Sequence, residues 1–243
     1  MFHMIFYRLY QICVMLPLLL AATVLCGFAT VAGCALGGGK WWGFKPASLW
    51  GRLWCILAGV RVEVRGRDNI NPGTSYVFVA NHQGAYDIFS IYGYLGHDFR
   101  WMMKQSLRRI PVVGFSCAVS GQVFVDNSSP SAIRRTMQAA EKQLAKGRSV
   151  VVFPEGSRTL DGRMHAFKRG AYTLAVEFGL PVVPITIDGA YRVMPRTAWL
   201  PRPGRIVLTI HPPITAGTDG HDLRPLMEAS KAAIASALPE NQR

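Results

Sequence analysis

Residues 75–95 read SYVFVANHQGAYDIFSIYGYL. Ser75 to Ala80 form a short apolar run with the β-branched and aromatic content of a strand, and Ile88 to Leu95 read as a helix. Between them, Asn81-His82-Gln83-Gly84-Ala85-Tyr86-Asp87 puts a histidine and an acid at the seam. In α/β proteins the carboxyl end of a strand is where chemistry is placed. His82 and Asp87 are five residues apart, which on a regular helix means about 140° and no shared face. They converge only if His82 lies in the turn before the helix and Asp87 in its first turn. An imidazole there can take a proton from a hydroxyl, and a carboxylate can fix its tautomer. In such a dyad without a protein nucleophile, the hydroxyl belongs to the substrate. The plainer alternative is a capping Asp beside a surface His.

The pattern repeats outward. Strand-like runs fall at 60–65, 75–80, 99–103, 121–125, 149–153, 182–187 and 205–210. Helix-like segments lie between them, the clearest at 130–146, where Ser129 can cap, Pro130 suits the first turn and Gly147 ends it. Others cover about 168–178 and 221–237. This alternation predicts one three-layer α/β domain around a mostly parallel sheet. No linker or repeat divides it, so the expected organisation is an anchor with an interfacial helix over 1–58 and a single domain over 59–243.

The anchor is read from charge. No charged residue lies between Arg8 and Lys40, a stretch longer than the roughly 20 residues that cross a bilayer. Pro17 and the glycines at 33 and 37–39 could interrupt it, giving either one tilted span or two short helices dipping into one leaflet. A cleaved signal peptide and a lipobox at Val31-Ala32-Gly33-Cys34 are the competing readings. Beyond it, Lys40, Lys45 and Arg52 interleave with Trp41, Trp42, Trp50 and Trp54. Tryptophan favours headgroup depth and basic residues favour the cytoplasmic side, so residues 45–59 read as an amphipathic helix on the membrane and the domain as cytoplasmic. Lys and Arg outnumber Asp and Glu by 27 to 14, a formal charge of +13 that suits an anionic membrane or substrate. It would also suit nucleic acid, but no recognition motif is present. Five scattered cysteines and six histidines without ligand spacing give no disulfide framework and no zinc site.

A second strand end carries polar residues: Phe153-Pro154-Glu155-Gly156-Ser157-Arg158 stands at the end of the run 149–153. Gly156 lets the backbone approach a ligand, and the Arg158 fork suits a phosphate. Lys168 and Arg169 open the next helix, where free N–H groups also favour anions. The competing role for Arg158 is an ion pair with Glu155.

Together these motifs resemble those of the glycerolipid acyltransferase family, specifically the 1-acyl-sn-glycerol-3-phosphate acyltransferases. Asn81-His82-x4-Asp87 is similar to the family's His-x4-Asp motif, and Phe153 to Arg158 to its Phe-Pro-Glu-Gly-(Thr/Ser)-Arg motif. Phe167-Lys168-Arg169-Gly170 follows as in many members. Lys104, Pro111, Gly114, Gly121 and Phe124 match the second motif, and Val183-Pro184-Ile185 the fourth. The match covers about residues 60–190. The resemblance implies His82 as general base, Asp87 as its orienter, and Glu155, Gly156, Ser157 and Arg158 on a glycerol-phosphate headgroup. It implies Lys104 as added positive charge and Pro184 as part of an acyl pocket. It further implies a lysophospholipid acceptor, acyl-CoA or acyl-carrier protein as co-substrate, no cofactor, and attachment to the bacterial cytoplasmic membrane. Two positions depart: Gly84 stands where Ser is common, a smaller change, and the second motif usually ends in Arg where here Asp126-Asn127 stands. Lys104, Arg134 or Arg135 would have to compensate, or the acceptor is a lyso-aminolipid or glycerol 3-phosphate. A non-catalytic, membrane-anchored anion-binding module is the rival outside enzymology.

Overall fold

The computed structural model describes residues 2–215 and 222–243. Seven strands form one sheet: β1 (Val60–Arg65), β2 (Val77–Ala80), β3 (Phe99–Lys104), β4 (Val123–Val125), β5 (Ser149–Val152), β6 (Val182–Asp188) and β7 (Gly204–Ile210). Their order is β1-β7-β6-β2-β5-β3-β4, and every neighbouring pair is parallel except β6 with β7. Alternation along each strand fills both faces. Phe78 and Ala80 join the core beneath α3 (Lys45–Leu57) and α4 (Tyr86–Tyr94). Val77 and Val79 join the opposite core with α6 (Pro130–Leu144), α7 (Gly170–Glu177) and α9 (Arg224–Ser236). The result is the expected three-layer arrangement. The helix expected from residue 221 begins, among the described residues, at Arg224, and residue 221 itself lies outside them. Ser129 caps α6 as read, its hydroxyl accepting from Ala132 N at 3.2 Å. The short α5 (Val113–Val119), in a segment with no clean periodicity, was not legible beforehand.

The N-terminal segment is one continuous helical run: α1 (Phe2–Tyr10), a π turn (Gln11–Met15) and α2 (Leu16–Ala35). Pro17 does not break it. The Leu16 N–H reaches back five residues to Gln11 O, and this wider turn admits the proline just after it. Residues Ile5–Ala35 are long and apolar enough to cross a membrane. The helix nevertheless lies along the domain. Near its start Tyr7 and Tyr10 hydroxyls donate to the carbonyls of Ala58 and Leu57, and Gln11 Nε2 donates to Pro201 O at 2.9 Å. In its middle Gly27 rests on Val112 and Ser116. Just past its end the Gly39 carbonyl accepts from Arg100 and Arg148. Trp42 packs against Gly33 and Gly38 as the chain turns back into α3, and Trp50 Nε1 donates to Thr23 Oγ1 at 2.8 Å. α1–α2 and α3 therefore form an antiparallel helical hairpin. Its outer face leaves Phe6, Leu9, Leu20, Leu25 and Phe28 exposed.

One reading of α3 is corrected. Trp50 and Trp54 do not point at headgroups: both pack on Phe89 of α4, with ring centroids 5.1 and 4.5 Å away. The α3–α4 crossing is close because Gly51 lies against the Phe89 carbonyl, where a Cβ would sit only 2.8 Å from the oxygen. The outward side of α3 carries Leu49 and Ile56 instead.

Candidate active site

β2 and β5 are adjacent, and their carboxyl ends open into one crevice. From β2 the chain steps through α4 to β3 on the far side of β5, whereas after β5 it returns across β2 to β6. Winding reverses here, so the loops leave in opposite directions and leave space between them. Asn81 fixes the end of β2: its amide donates to Ile187 O at 3.0 Å and accepts from Ile187 N at 2.8 Å.

His82 then lies in the turn and Asp87 in the first turn of α4. His82 Nδ1 stands 2.8 Å from Asp87 Oδ2. A carboxylate oxygen only accepts, so Nδ1 carries the proton and Nε2 keeps the free lone pair. The same Oδ2 accepts from Gln83 N at 2.7 Å and Gly84 N at 2.8 Å, and Asp87 is wholly buried. The Phe153 ring stacks on the imidazole at 3.8 Å and 5°. Phe153 is a site residue that motif reading passed over. Its signal was its position one residue past β5.

Glu155 departs from its expected role. It is 7% exposed, and both oxygens are occupied by backbone groups: Oε1 by His82 N at 2.8 Å and Oε2 by His165 N at 2.9 Å. Burial pushes its carboxyl up, while the N–H groups of His165 and His82 pull it down. Glu155 thus staples the second loop to the dyad's turn, and it makes no ion pair with Arg158. Pro184 is also corrected. It lies inside β6 opposite Val79, and its carbonyl accepts from His211 N; it does not line the cavity.

The crevice continues as a cavity of about 810 Å³. His82, Phe153, Gly156, Ser157 and Arg158 border it beside Lys104, Asn127, Lys168 and Arg196. Gly156 takes φ +78°, which glycine adopts without strain, and Lys168 Nζ lies over its Cα hydrogens. Arg196 Nη1 donates to Arg158 O at 3.3 Å. Among the described residues, Lys104, Arg158, Lys168 and Arg196 are in no ion pair. Cations gathered without carboxylates make a site for an anion. Arg134 and Arg135, offered as substitutes near Asn127, are exposed and do not line the cavity. Arg196, from a loop outside the motifs, does.

Away from the cations the cavity becomes apolar, with Ile88, Phe89, Trp101 and Met103 on one side. Thr23, Cys26, Gly27 and Thr30 of α2 close the other, a wall that no sequence signal announced. Cys117 borders it too, but burial pushes its thiol up to about 11, leaving almost no thiolate near neutrality. Among the described residues no cluster of His, Cys, Asp and Glu could hold a metal ion.

Comparison with known proteins adds a family, two relatives and a solved structure. A family model described as Acyltransferase matches residues 61–188. A 1-acyl-sn-glycerol-3-phosphate acyltransferase of Chlamydomonas reinhardtii is 35% identical over 74% of this chain and 53% of its own length. One of Pseudomonas aeruginosa is 34% identical over 74% of this chain and 68% of its own. The chain spans about half the length of the Chlamydomonas and chloroplast relatives. The crystal structure of the 1-acyl-sn-glycerophosphate (LPA) acyltransferase PlsC from Thermotoga maritima superposes with a TM-score of 0.70 at 26% identity, covering 89% of this chain and 93% of that one.

Proposed function

Because the chain belongs to the acyltransferase family, we propose that it moves an acyl chain from a thioester to the sn-2 hydroxyl of 1-acyl-sn-glycerol 3-phosphate, giving phosphatidic acid. The observation that carries this reading is one cavity bordered by His82 of the His82–Asp87 dyad, by Lys104, Arg158, Lys168 and Arg196, and by apolar side chains. His82 Nε2 takes the acceptor's hydroxyl proton as its oxygen attacks the thioester carbonyl carbon. Asp87 stabilises the imidazolium. The tetrahedral intermediate collapses, the C–S bond breaks, and the departing sulfur takes the proton back from His82. No acyl-enzyme forms. Arg158, Lys168, Lys104 and Arg196 hold the phosphate, with Gly156 and Ser157 at close backbone range. The acyl chain occupies the apolar part of the cavity.

The co-substrate is acyl-CoA or acyl-carrier protein, and the chemistry calls for no cofactor. The setting is the bacterial cytoplasmic membrane, with the domain on the cytoplasmic side. The outer face of the α1–α2/α3 hairpin supports membrane attachment, and Lys40, Lys45 and Arg52 support the side. Both ends of the long helix touch one domain, which favours a helix embedded in one leaflet over an upright span.

Purified protein mixed with thioester and a panel of lysophospholipids and glycerol 3-phosphate, with thiol release followed, tests the reading. Release is expected with lysophosphatidate and is expected to vanish in His82→Ala. Asn127 at the cavity mouth keeps a second acceptor in view: turnover with a lyso-aminolipid but not with lysophosphatidate would replace the phosphate assignment.

A further inference from the structure

The segment Met194-Pro195-Arg196-Thr197-Ala198-Trp199-Leu200-Pro201-Arg202-Pro203 joins α8 (Ala190–Val193) to β7. We propose that this loop is a second docking site, specific for an anionic lipid surface, and that it joins that contact to the catalytic turn. The proposal uses the acyltransferase reading for one of its two measurements.

Trp199 is 93% exposed, the highest value among the exposed large hydrophobic side chains of the described residues. A tryptophan's natural depth is the headgroup region, where the ring is out of water and the indole N–H is not. Charge points to the sign of the partner. Arg192 and Arg205, flanking the loop, are paired with Asp188 and Glu63. Arg202, within it and outside the cavity, is exposed and among the described residues is in no ion pair. An exposed indole three residues from such a guanidinium group fits a bilayer that carries negative headgroups.

The loop is held in shape. Three prolines restrict it, Ala198 N donates to Pro195 O at 3.1 Å, and Arg202 N donates to Val193 O at 2.9 Å. It is also anchored at two functional places. On one side, Gln11 is a fully buried amide in a mostly apolar helix. Its Nε2 donates to Pro201 O, and its Oε1 accepts from Arg8 at 2.7 Å. The same stretch of helix leaves Leu9 and Ile12 exposed. On the other side, Ala85 N donates to Met194 O at 3.1 Å, and Gly84 bridges to Pro195. Arg196 reaches the Arg158 carbonyl. Trp199 thus stands on a short strap between the membrane helix and the turn that holds His82 and Asp87.

The test uses the full chain and the variants Trp199→Ser, Trp199→Phe and Arg202→Gln, none of which touches the cavity. Activity is measured with a long-chain acceptor in phosphatidylcholine vesicles, with and without phosphatidylglycerol, and with a short-chain acceptor below its micelle concentration. On phosphatidylglycerol vesicles kcat/KM is expected to fall about fivefold for Arg202→Gln, and by more for Trp199→Ser. The loss should shrink without phosphatidylglycerol and disappear with the monomeric acceptor. Independently of activity, the fluorescence that wild type shows beyond Trp199→Phe should be quenched by brominated phosphatidylglycerol. If that fluorescence is unquenched, docking is wrong. Equal losses on vesicle and monomeric acceptor would mean the loop only supports the fold. A loss confined to acyl-carrier protein as donor would assign the surface to that protein. If no substrate turns over while quenching persists, docking stands and the transferase reading is what fails.

Discussion

Asp87 Oδ2 accepts from three donors, whereas its Oδ1 is buried with no partner. An amide there must aim its NH₂ either at three donors or into a buried spot without an acceptor. Asp87→Asn is therefore expected to cost on the order of 10³–10⁴-fold in kcat, since the tautomer is no longer fixed. It should also cost about 1–3 kcal/mol of stability. Rates and melting curves of the purified variant measure the two, and a near-normal kcat would remove the dyad from the mechanism. Glu155 makes the complementary case. Glu155→Gln keeps the shape but sets an NH₂ group against a backbone N–H, with about 1–3 kcal/mol expected in stability. Because Glu155 touches no substrate, kcat should fall while the acceptor's KM stays within about twofold. The pH dependence has a definite sign. Burial raises this carboxyl in the folded state, so the folded protein binds the proton more tightly than the unfolded chain does. Its contribution weakens the fold as pH rises from the ordinary carboxylate value through the raised one, and Glu155→Gln should remove that slope from denaturation curves. A motif places Glu155 correctly in sequence, but it cannot reveal which way a carboxylate faces.

At the scale of elements, the seven strands were legible because β-branched runs punctuated by Gly and Pro need both faces buried, and that constraint is local. The packing of Trp50 and Trp54 on Phe89 was not legible. Their spacing alone cannot say whether lipid or α4 covers that face of α3. The loop after β6 shows its arginines and Trp199 in the sequence but not its packing on the catalytic turn, and that closeness to the dyad makes a sharp expectation about Gly84. The family commonly has Ser there. In this chain a Cβ on Gly84 would sit 2.9 Å from Met194 O and still closer to the Ala190 carbonyl, both rigid backbone. Gly84→Ser should therefore cost about 1–3 kcal/mol, as overpacking does, and it should displace α8 from the catalytic turn. A thermal shift together with lowered kcat is the expected result. A stable, fully active Gly84→Ser protein would show that α8 yields, and the close packing would then have no bearing on the dyad.

For the whole molecule, the division into anchor and domain that the sequence suggests does not describe the cavity, whose walls come from both. Cys26 on α2 borders the same space as His82. Cys26→Trp is expected to shift the preferred acyl chain toward shorter lengths, with short-chain transfer retained. A chain-length series of thioesters measures it, and an unchanged profile would place the acyl chain elsewhere. Neither the wall nor the Gln11–Pro201 latch could be read in advance, because each joins segments far apart in the chain. That distance has a consequence for how the protein is made. β1 lies at the sheet edge, paired among the described residues with β7 alone, and Val60 pairs with Gly204. About 140 residues separate the two, so at about 5–20 residues per second the ribosome needs roughly 7–30 seconds between them. For that interval an oily helix and an orphan strand are both outside the exit tunnel. The nascent chain has to commit its N-terminus to lipid or to a chaperone well before the sheet that will hold it exists.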